Sequence, residues 1–129
     1  HSMLFPSLIS EEDGSYRLQR GGARANDMVG EDLMLSNVSD ALPLRKTEPG
    51  HRFYSTFSLW DTYRTLHPLM DLLHPQVSTD FGQSLMAMSD AWGFLPPWQL
   101  VQSPTDMMEG DGGSIVLAMM ARDGLLDAN

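Results

Sequence analysis

The amino-acid sequence predicts a mostly α fold, in which helical hairpins follow an irregular N-terminal half. Two stretches after residue 58 carry apolar residues at steps of three and four, the spacing that places side chains on one helix face. Before residue 50, glycine and proline recur and no periodicity is sustained. We therefore divide the chain into an irregular, loop-rich segment (4–50) and a helical segment (51–129), and we set residues 1–3 aside as an expression-vector scar.

Helices are predicted near 58–73, 78–92 and 114–122. Ser58 is a favourable N-cap for the first helix. Pro68 predicts a kink or a restart of this helix near His67–Pro68, because proline removes a backbone donor. Gly93 suits the left-handed position that follows the end of the second helix. The stretch Ile115–Ala121 is apolar all round, which predicts a third helix buried on several sides.

The composition excludes several classes of protein. The chain has 17 acidic and 8 basic residues and a net charge of −9, which argues against partners such as nucleic acids and anionic membranes. It has no cysteine, so disulfide frameworks and thiolate metal sites are excluded. No apolar run approaches the ~18 residues of a membrane span. The four histidines show no spacing that predicts a metal site.

One dense motif carries a family resemblance. The segment from Phe53 to Leu69, FYSTFSLWDTYRTLHPL, resembles the signature of the family 92 glycoside hydrolases, the calcium-dependent exo-acting α-mannosidases. Asp13–Arg17 is similar to a turn that precedes this signature. Further similarity continues in order through Leu95, Pro96, Trp98, Leu100, Thr105, Asp106, Met108, Gly110, Val116, Ala118 and Gly124. The resemblance covers most of residues 10–125.

The resemblance implies a fold, a reaction and a cofactor. The helical segment would be a piece of an (α/α)6 toroid, with a sugar pocket at one end of the ring. The family reaction removes terminal α-linked mannose with inversion: one carboxylic acid protonates the leaving oxygen, and a second carboxylate activates water. Calcium serves the parent family, whereas no cofactor is expected in this chain itself. The resemblance also implies a secreted or periplasmic protein and a mannose-containing glycan as partner.

The catalytic residues do not carry over. The resemblance places the proton donor, a glutamate, immediately before a threonine, and here Pro104 precedes Thr105. Asp106 and Glu109 lie nearby in sequence and are weak substitutes, because each needs a shifted backbone to replace that glutamate. The family's general base and calcium ligands belong to segments that this sequence does not contain. The chain is therefore expected to be catalytically incomplete.

Three residues remain as candidate substrate contacts: Trp60, Asp61 and Trp98. A tryptophan face can stack on the apolar face of a pyranose, and a carboxylate can hold two adjacent hydroxyls. Each residue also has a structural interpretation. Asp61 could cap its helix and pair with Arg64 one turn later, and the two tryptophans could belong to the core.

Two other functional classes stay open at this stage. The chain could be a non-catalytic helical module for sugar binding or self-association, or an excised fragment with no function apart from its parent. A homo-oligomer is expected because an all-apolar helix in a chain of this size leaves surface that partners tend to cover.

Overall fold

The computed structural model of this protein describes residues 5–18, 43–100, 103–104 and 110–126. Four short strands come first, followed by three helices, two more strands and a last helix. In chain order these are β1 (Ser7–Leu8), β2 (Ser15–Arg17), β3 (Leu44–Lys46), β4 (Tyr54–Ser55), α1 (Leu59–Thr62), α2 (Leu66–Leu73), α3 (Pro75–Trp92), β5 (Gln99–Leu100), β6 (Ser103–Pro104) and α4 (Gly112–Arg122).

The prediction of a mostly α fold is wrong, because the described residues combine helices with antiparallel strand pairs. β1 pairs with β4, β2 with β3, and β5 with β6. The N-terminal half is also not uniformly irregular, since it supplies β1, β2 and β3. Strands of two or three residues are too short to show the alternation that identifies a strand in a sequence. The structure is therefore a mixed α and β arrangement rather than a mostly α piece of an (α/α)6 toroid.

The first predicted helix is divided into two. Residues 63–65 form a turn between α1 and α2, and the helix restarts at Leu66, directly before His67 and Pro68, where a kink or a restart was predicted. Pro68 lies in the first turn of α2, where a missing amide hydrogen costs no helical hydrogen bond. α3 begins at Pro75, earlier than predicted, and it ends at Gly93 with a φ of 80°, which is the left-handed conformation expected there.

One hydrophobic core joins the N-terminal strands to the helices. Tyr16 of β2 stacks on Phe53 with ring centroids 3.8 Å apart, and both side chains are buried. Phe81 of α3 meets Tyr54 and Phe57 edge to face, at 4.8 and 5.8 Å. The remaining buried apolar side chains are those of Leu18, Leu59, Met70, Leu85, Met88, Trp92, Val116 and Met120.

α4 buries one face rather than several. Val116 and Met120, which are four residues apart, are fully buried, whereas Ile115 is 41% exposed and Ala118 and Ala121 are exposed. The apolar composition of α4 thus exceeds what the described core covers. Among the described residues, no helix combines the length and apolar character needed to cross a membrane.

Candidate functional site

The first turn of α1 places Trp60 and Asp61 at the surface. The carbonyl oxygen of Ser58 accepts hydrogen bonds from the amides of Asp61 and Thr62, at 3.0 and 3.1 Å, and the Thr62 hydroxyl donates to the same oxygen at 3.0 Å. Leu59 and Thr62 are three residues apart on the buried face. Trp60 and Asp61 consequently point outward, and Trp60 is 45% exposed.

The start of α4 lies close against α1 at Gly112. A Cβ atom at Gly112 would lie only 3.0 Å from the Leu59 carbonyl oxygen, so a larger residue would require α1 to shift by a few tenths of an ångström. A Cβ atom at Gly110 would lie 3.8 Å from Cδ1 of Trp60, which places the edge of the indole beside this part of the chain. Trp60 therefore lies beside the chain that leads into α4 and keeps part of its surface open.

Gln99, a residue that the sequence does not single out, joins two segments of the site. Its side chain is fully buried. Its Oε1 atom accepts hydrogen bonds from the amides of Thr56 and Phe57, at 2.5 and 3.3 Å, and its Nε2 atom donates to Ser55 Oγ at 2.7 Å. Its own amide donates to the Phe57 carbonyl oxygen at 2.9 Å. These bonds fix the backbone next to Trp98 against the segment that leads into α1.

The segment that Gln99 holds includes a strained residue. Thr56 has a φ of 64°, a left-handed conformation that is unfavourable for a β-branched side chain. Such strain persists only where the surroundings compensate for it, and it is concentrated at functional sites. The hydrogen bond from the Thr56 amide to Gln99 supplies compensation directly, so the path of the chain into α1 depends on Gln99.

Neither structural role anticipated for Asp61 is observed. Within the residues that the structure describes, no side-chain hydrogen bond of Ser58 caps the start of α1. The Arg64 guanidinium lies over the Tyr63 ring, 4.9 Å from its centroid, rather than against Asp61. Among the described residues, no hydrogen bond or ion pair involves the Asp61 carboxylate, which is exposed. Trp98 is partly buried and directly precedes Gln99.

The position that the resemblance gives to the general acid lies opposite Gln99. Pro104 of β6 pairs with Gln99 of β5 in the antiparallel register. The chain at Pro104 is therefore next to the segment that carries Trp98 and is tied to residues 55–57. Asp106 and Glu109, the weak substitutes for the acid, lie outside the described residues.

His67 lies within the signature segment, but it faces the core. Its side chain is fully buried near Phe57 and Phe81, with centroid distances of 6.3 and 5.7 Å. Within the described part of the chain, neither of its ring nitrogens has a hydrogen-bond partner. Burial lowers the pKa of the His67 imidazole to about 4, because the charged form would be poorly solvated. His67 is thus a neutral core residue at physiological pH.

The described residues contain no cluster of three or more histidine, aspartate or glutamate side chains placed to hold a metal ion. The calcium that the resemblance implies for the parent family stays a prediction.

Comparison with known protein families identifies the class to which this chain belongs. The sequence matches the model of the glycosyl hydrolase family 92 catalytic domain over residues 1–129. The chain belongs to this family. The resemblance drawn from the signature segment is confirmed.

Two solved structures are similar to this chain. Both are of a family GH92 alpha-mannosidase from Bacteroides thetaiotaomicron, and one is a complex with mannoimidazole. Each superposes with a TM-score of 0.71 at 30% sequence identity, and the match covers 95% of this chain but 14% of that enzyme. Among curated proteins, none matches this sequence. The chain thus spans about one seventh of the length of the solved relative.

Proposed function

We propose that this chain forms part of the mannose-binding surface of a family 92 α-mannosidase, with Trp60, Asp61 and Trp98 as its sugar contacts. The observation that carries the proposal is the state of Asp61. Its carboxylate is exposed in the first turn of α1 and forms neither a helix cap nor an ion pair among the described residues. The structure of a related α-mannosidase with mannoimidazole supports the choice of sugar.

The exposed side chains of Trp60 and Asp61 offer the two kinds of contact that a pyranose ring can make. The half-exposed indole of Trp60 offers an apolar face to the C–H groups of the ring. The adjacent carboxylate accepts hydrogen bonds at both oxygens, and such charge-assisted bonds are about twice as strong as neutral ones. Gln99 keeps the segments that carry these groups in a fixed relation, so little ordering is needed when a sugar binds.

Hydrolysis by this chain alone is not expected. Inverting glycosidases need two carboxyl groups about 6.5–9.5 Å apart, one to protonate the leaving oxygen and one to activate water. Pro104 has no group that can donate a proton at the position of the acid. Asp106 and Glu109 are the nearest carboxyl groups in sequence, and the general base must come from other segments. This chain would therefore bind and orient mannose, while the parent enzyme would cleave the glycosidic bond.

Thermal unfolding with mannose as ligand tests the assignment of Asp61. Mannose at concentrations on the order of tens of millimolar should raise the melting temperature of the unsubstituted chain, because a ligand that binds the folded state stabilises it by mass action. Glucose is the control ligand. In Asp61→Asn the mannose-dependent rise should disappear. The variant itself should lose at most about 0.5 kcal/mol, because this carboxylate has no structural partner among the described residues. An equal rise in the parent and the variant would contradict the assignment.

Exposed leucines on α2 support the alternative function, a module that associates with a second copy of itself. Leu69, Leu72 and Leu73 of α2 are 50%, 78% and 58% exposed, which makes an apolar patch of the kind that partners cover. Light scattering on the same samples separates the two functions. A dimer whose melting temperature does not respond to mannose would favour self-association over sugar binding.

A further inference from the structure

Two neighbouring segments carry the three candidate sugar contacts. One segment runs from Thr56 into α1 and presents Trp60 and Asp61, and the other is β5, which directly follows Trp98. The two segments meet at Gln99, because its buried side chain bonds the first segment and its backbone belongs to the second. The conformation at this junction therefore sets how the three contacts lie relative to one another.

The first segment turns at Thr56. Among the described residues, Thr56 is the non-glycine residue with a left-handed backbone, at a φ of 64°. A β-branched residue disfavours this conformation and keeps it only where the surroundings hold it. Ser55 before it and Phe57 after it are fully buried, so a change of the Thr56 backbone must displace one of these neighbours. Because α1 begins two residues beyond Phe57, a displacement on that side moves the first turn of α1 relative to Trp98.

The side chain of Gln99 selects the left-handed conformation of Thr56. Its Oε1 atom accepts hydrogen bonds from the amides of Thr56 and Phe57, at 2.5 and 3.3 Å. Consecutive amides of an extended strand point in opposite directions, whereas a residue in a helical or left-handed conformation turns both toward one acceptor. The Nε2 atom donates to Ser55 Oγ at 2.7 Å, which fixes the orientation of the Gln99 amide. The hydrogen bonds and the φ of Thr56 thus depend on each other.

We propose that Thr56 and Gln99 form a coupled pair of positioning residues for the sugar contacts of this chain. Gln99 holds Thr56 in the left-handed conformation, and Thr56 in that conformation directs α1 so that Trp60 and Asp61 reach the same ligand as Trp98. The inference rests on the proposed function for the identity of the ligand. The coupling of the pair rests on the hydrogen bonds and on the φ of Thr56.

Loss of the Gln99 amide should weaken sugar binding. In Gln99→Met an unbranched side chain of similar length replaces the amide, and Thr56 loses the acceptor that holds it. Backbone strain of this kind should then lower the population of the left-handed conformation about fivefold or more, and the apparent Kd should rise by the same factor. Titration of the ¹⁵N-labelled chain with methyl α-mannoside, followed at the backbone amides of residues 59–62, measures the Kd.

A second substitution should reverse that loss. Glycine adopts positive and negative φ about equally readily, so Thr56→Gly added to Gln99→Met should return the Kd to within about twofold of the unsubstituted chain. Thr56→Gly alone should change the Kd by about twofold or less and should not lower the melting temperature, because it removes strain. A purely structural role of Gln99 predicts no such rescue, because Thr56→Gly restores none of the lost hydrogen bonds.

Thr65→Gly is the matched control for the rescue. Thr65 is exposed, lies beyond α1 and has a φ of −134°, so glycine relieves no strain there. Thr65→Gly should lower the melting temperature, because glycine increases the conformational entropy of the unfolded chain. Added to Gln99→Met, it should leave the Kd as weak as in Gln99→Met alone.

Ser55→Ala keeps the test decisive if Gln99→Met does not fold. It removes the partner of Gln99 Nε2, so the amide is freer to turn away from Thr56. A smaller rise in the Kd is expected, and Thr56→Gly should again reverse it.

The outcomes separate this inference from the proposed function. If the amides of the unsubstituted chain do not shift with mannoside at concentrations on the order of tens of millimolar, the proposed function and the positioning role fail together. If the chain binds mannoside but loss of the Gln99 hydrogen bonds leaves the Kd unchanged, the positioning pair fails and the proposed function stands. The same conclusion follows if Thr56→Gly does not restore the Kd, or if Thr65→Gly restores it equally well.

Discussion

Gln99 and His67 are both fully buried polar side chains, but their surroundings differ completely. The side-chain amide of Gln99 forms three hydrogen bonds with the segment 55–57 and so holds a strained backbone in place. The ring nitrogens of His67 have no hydrogen-bond partner among the described residues, and the imidazole lies near the rings of Phe57 and Phe81. The comparison shows two consequences of polar burial. A buried amide whose hydrogen bonds are all formed, as in Gln99, fixes the local backbone geometry. A buried imidazole without hydrogen-bond partners, as in His67, makes stability depend on pH because its charged form is poorly solvated.

The largest loss of folding stability is expected when Gln99 is replaced by a residue without a side-chain amide. Gln99→Leu keeps a comparable volume, but it leaves the amides of Thr56 and Phe57 and the Ser55 hydroxyl without their partner. Each unsatisfied buried group costs about 1–3 kcal/mol, so the variant should lose on the order of 3–5 kcal/mol of stability. Urea unfolding measures this loss as a lower midpoint. Gln76→Leu, at an exposed position of α3, should change stability by about 0.5 kcal/mol or less.

A loss below about 1 kcal/mol in Gln99→Leu would contradict the comparison. It would mean that the segment 55–57 keeps its conformation without the amide of Gln99.

The next effect is a loss of stability in acid that comes from His67. The ordinary pKa of histidine is 6.5 and that of folded His67 is about 4, so the unfolded chain binds a proton that the folded chain excludes. Stability is therefore complete above pH 6.5, falls between pH 6.5 and 4, and loses nothing more from this group below pH 4. The shift corresponds to about 3 kcal/mol.

Two carboxyl groups, those of Asp71 and Asp13, respond differently to acid in the same experiment. Burial raises the pKa of Asp71, one turn further along α2, so its protonation in acid favours the folded state and opposes the effect of His67. The pKa of Asp13 is lowered to about 2 by hydrogen bonds from Ser15, and its contribution to stability is lost only below the ordinary value of 3.8.

Urea unfolding of His67→Phe across pH 4–7 separates the effect of His67 on stability from the effects of these carboxyl groups. The variant should lose the slope between pH 6.5 and 4, while His74→Ala, at an exposed position, should keep it. A slope that persists in His67→Phe would show that another group causes it.

The family could be predicted from the sequence because the signature from Phe53 to Leu69 is long and chemically unusual. The end of α3 at Gly93 could be predicted because a left-handed residue there favours glycine. The strands could not be predicted, because β2 and β3 have only three residues each and pair residues that are far apart in the chain, such as Ser15 and Lys46.

The candidate site was also only partly predictable. Trp60 and Asp61 could be named from the resemblance, and whether they contact sugar stays a prediction. Gln99 could not be identified, because a single glutamine has no periodic or spacing signal. Its function appears only when β5 and the segment 55–57 are seen side by side.

We propose that the segment held by Gln99 presents Trp60 and Asp61 at the surface as mannose contacts. The indole N–H resonance of Trp60, assigned by its loss in Trp60→Phe, reports on this surface directly. Titration with methyl α-mannoside should shift that resonance in a saturable manner. The same titration should have little effect in Asp61→Asn, and methyl α-glucoside should have little effect in the parent chain. A Trp60 resonance that stays unchanged up to mannoside concentrations on the order of tens of millimolar, while the chain remains folded, would contradict the assignment of Trp60 and Asp61 as mannose contacts.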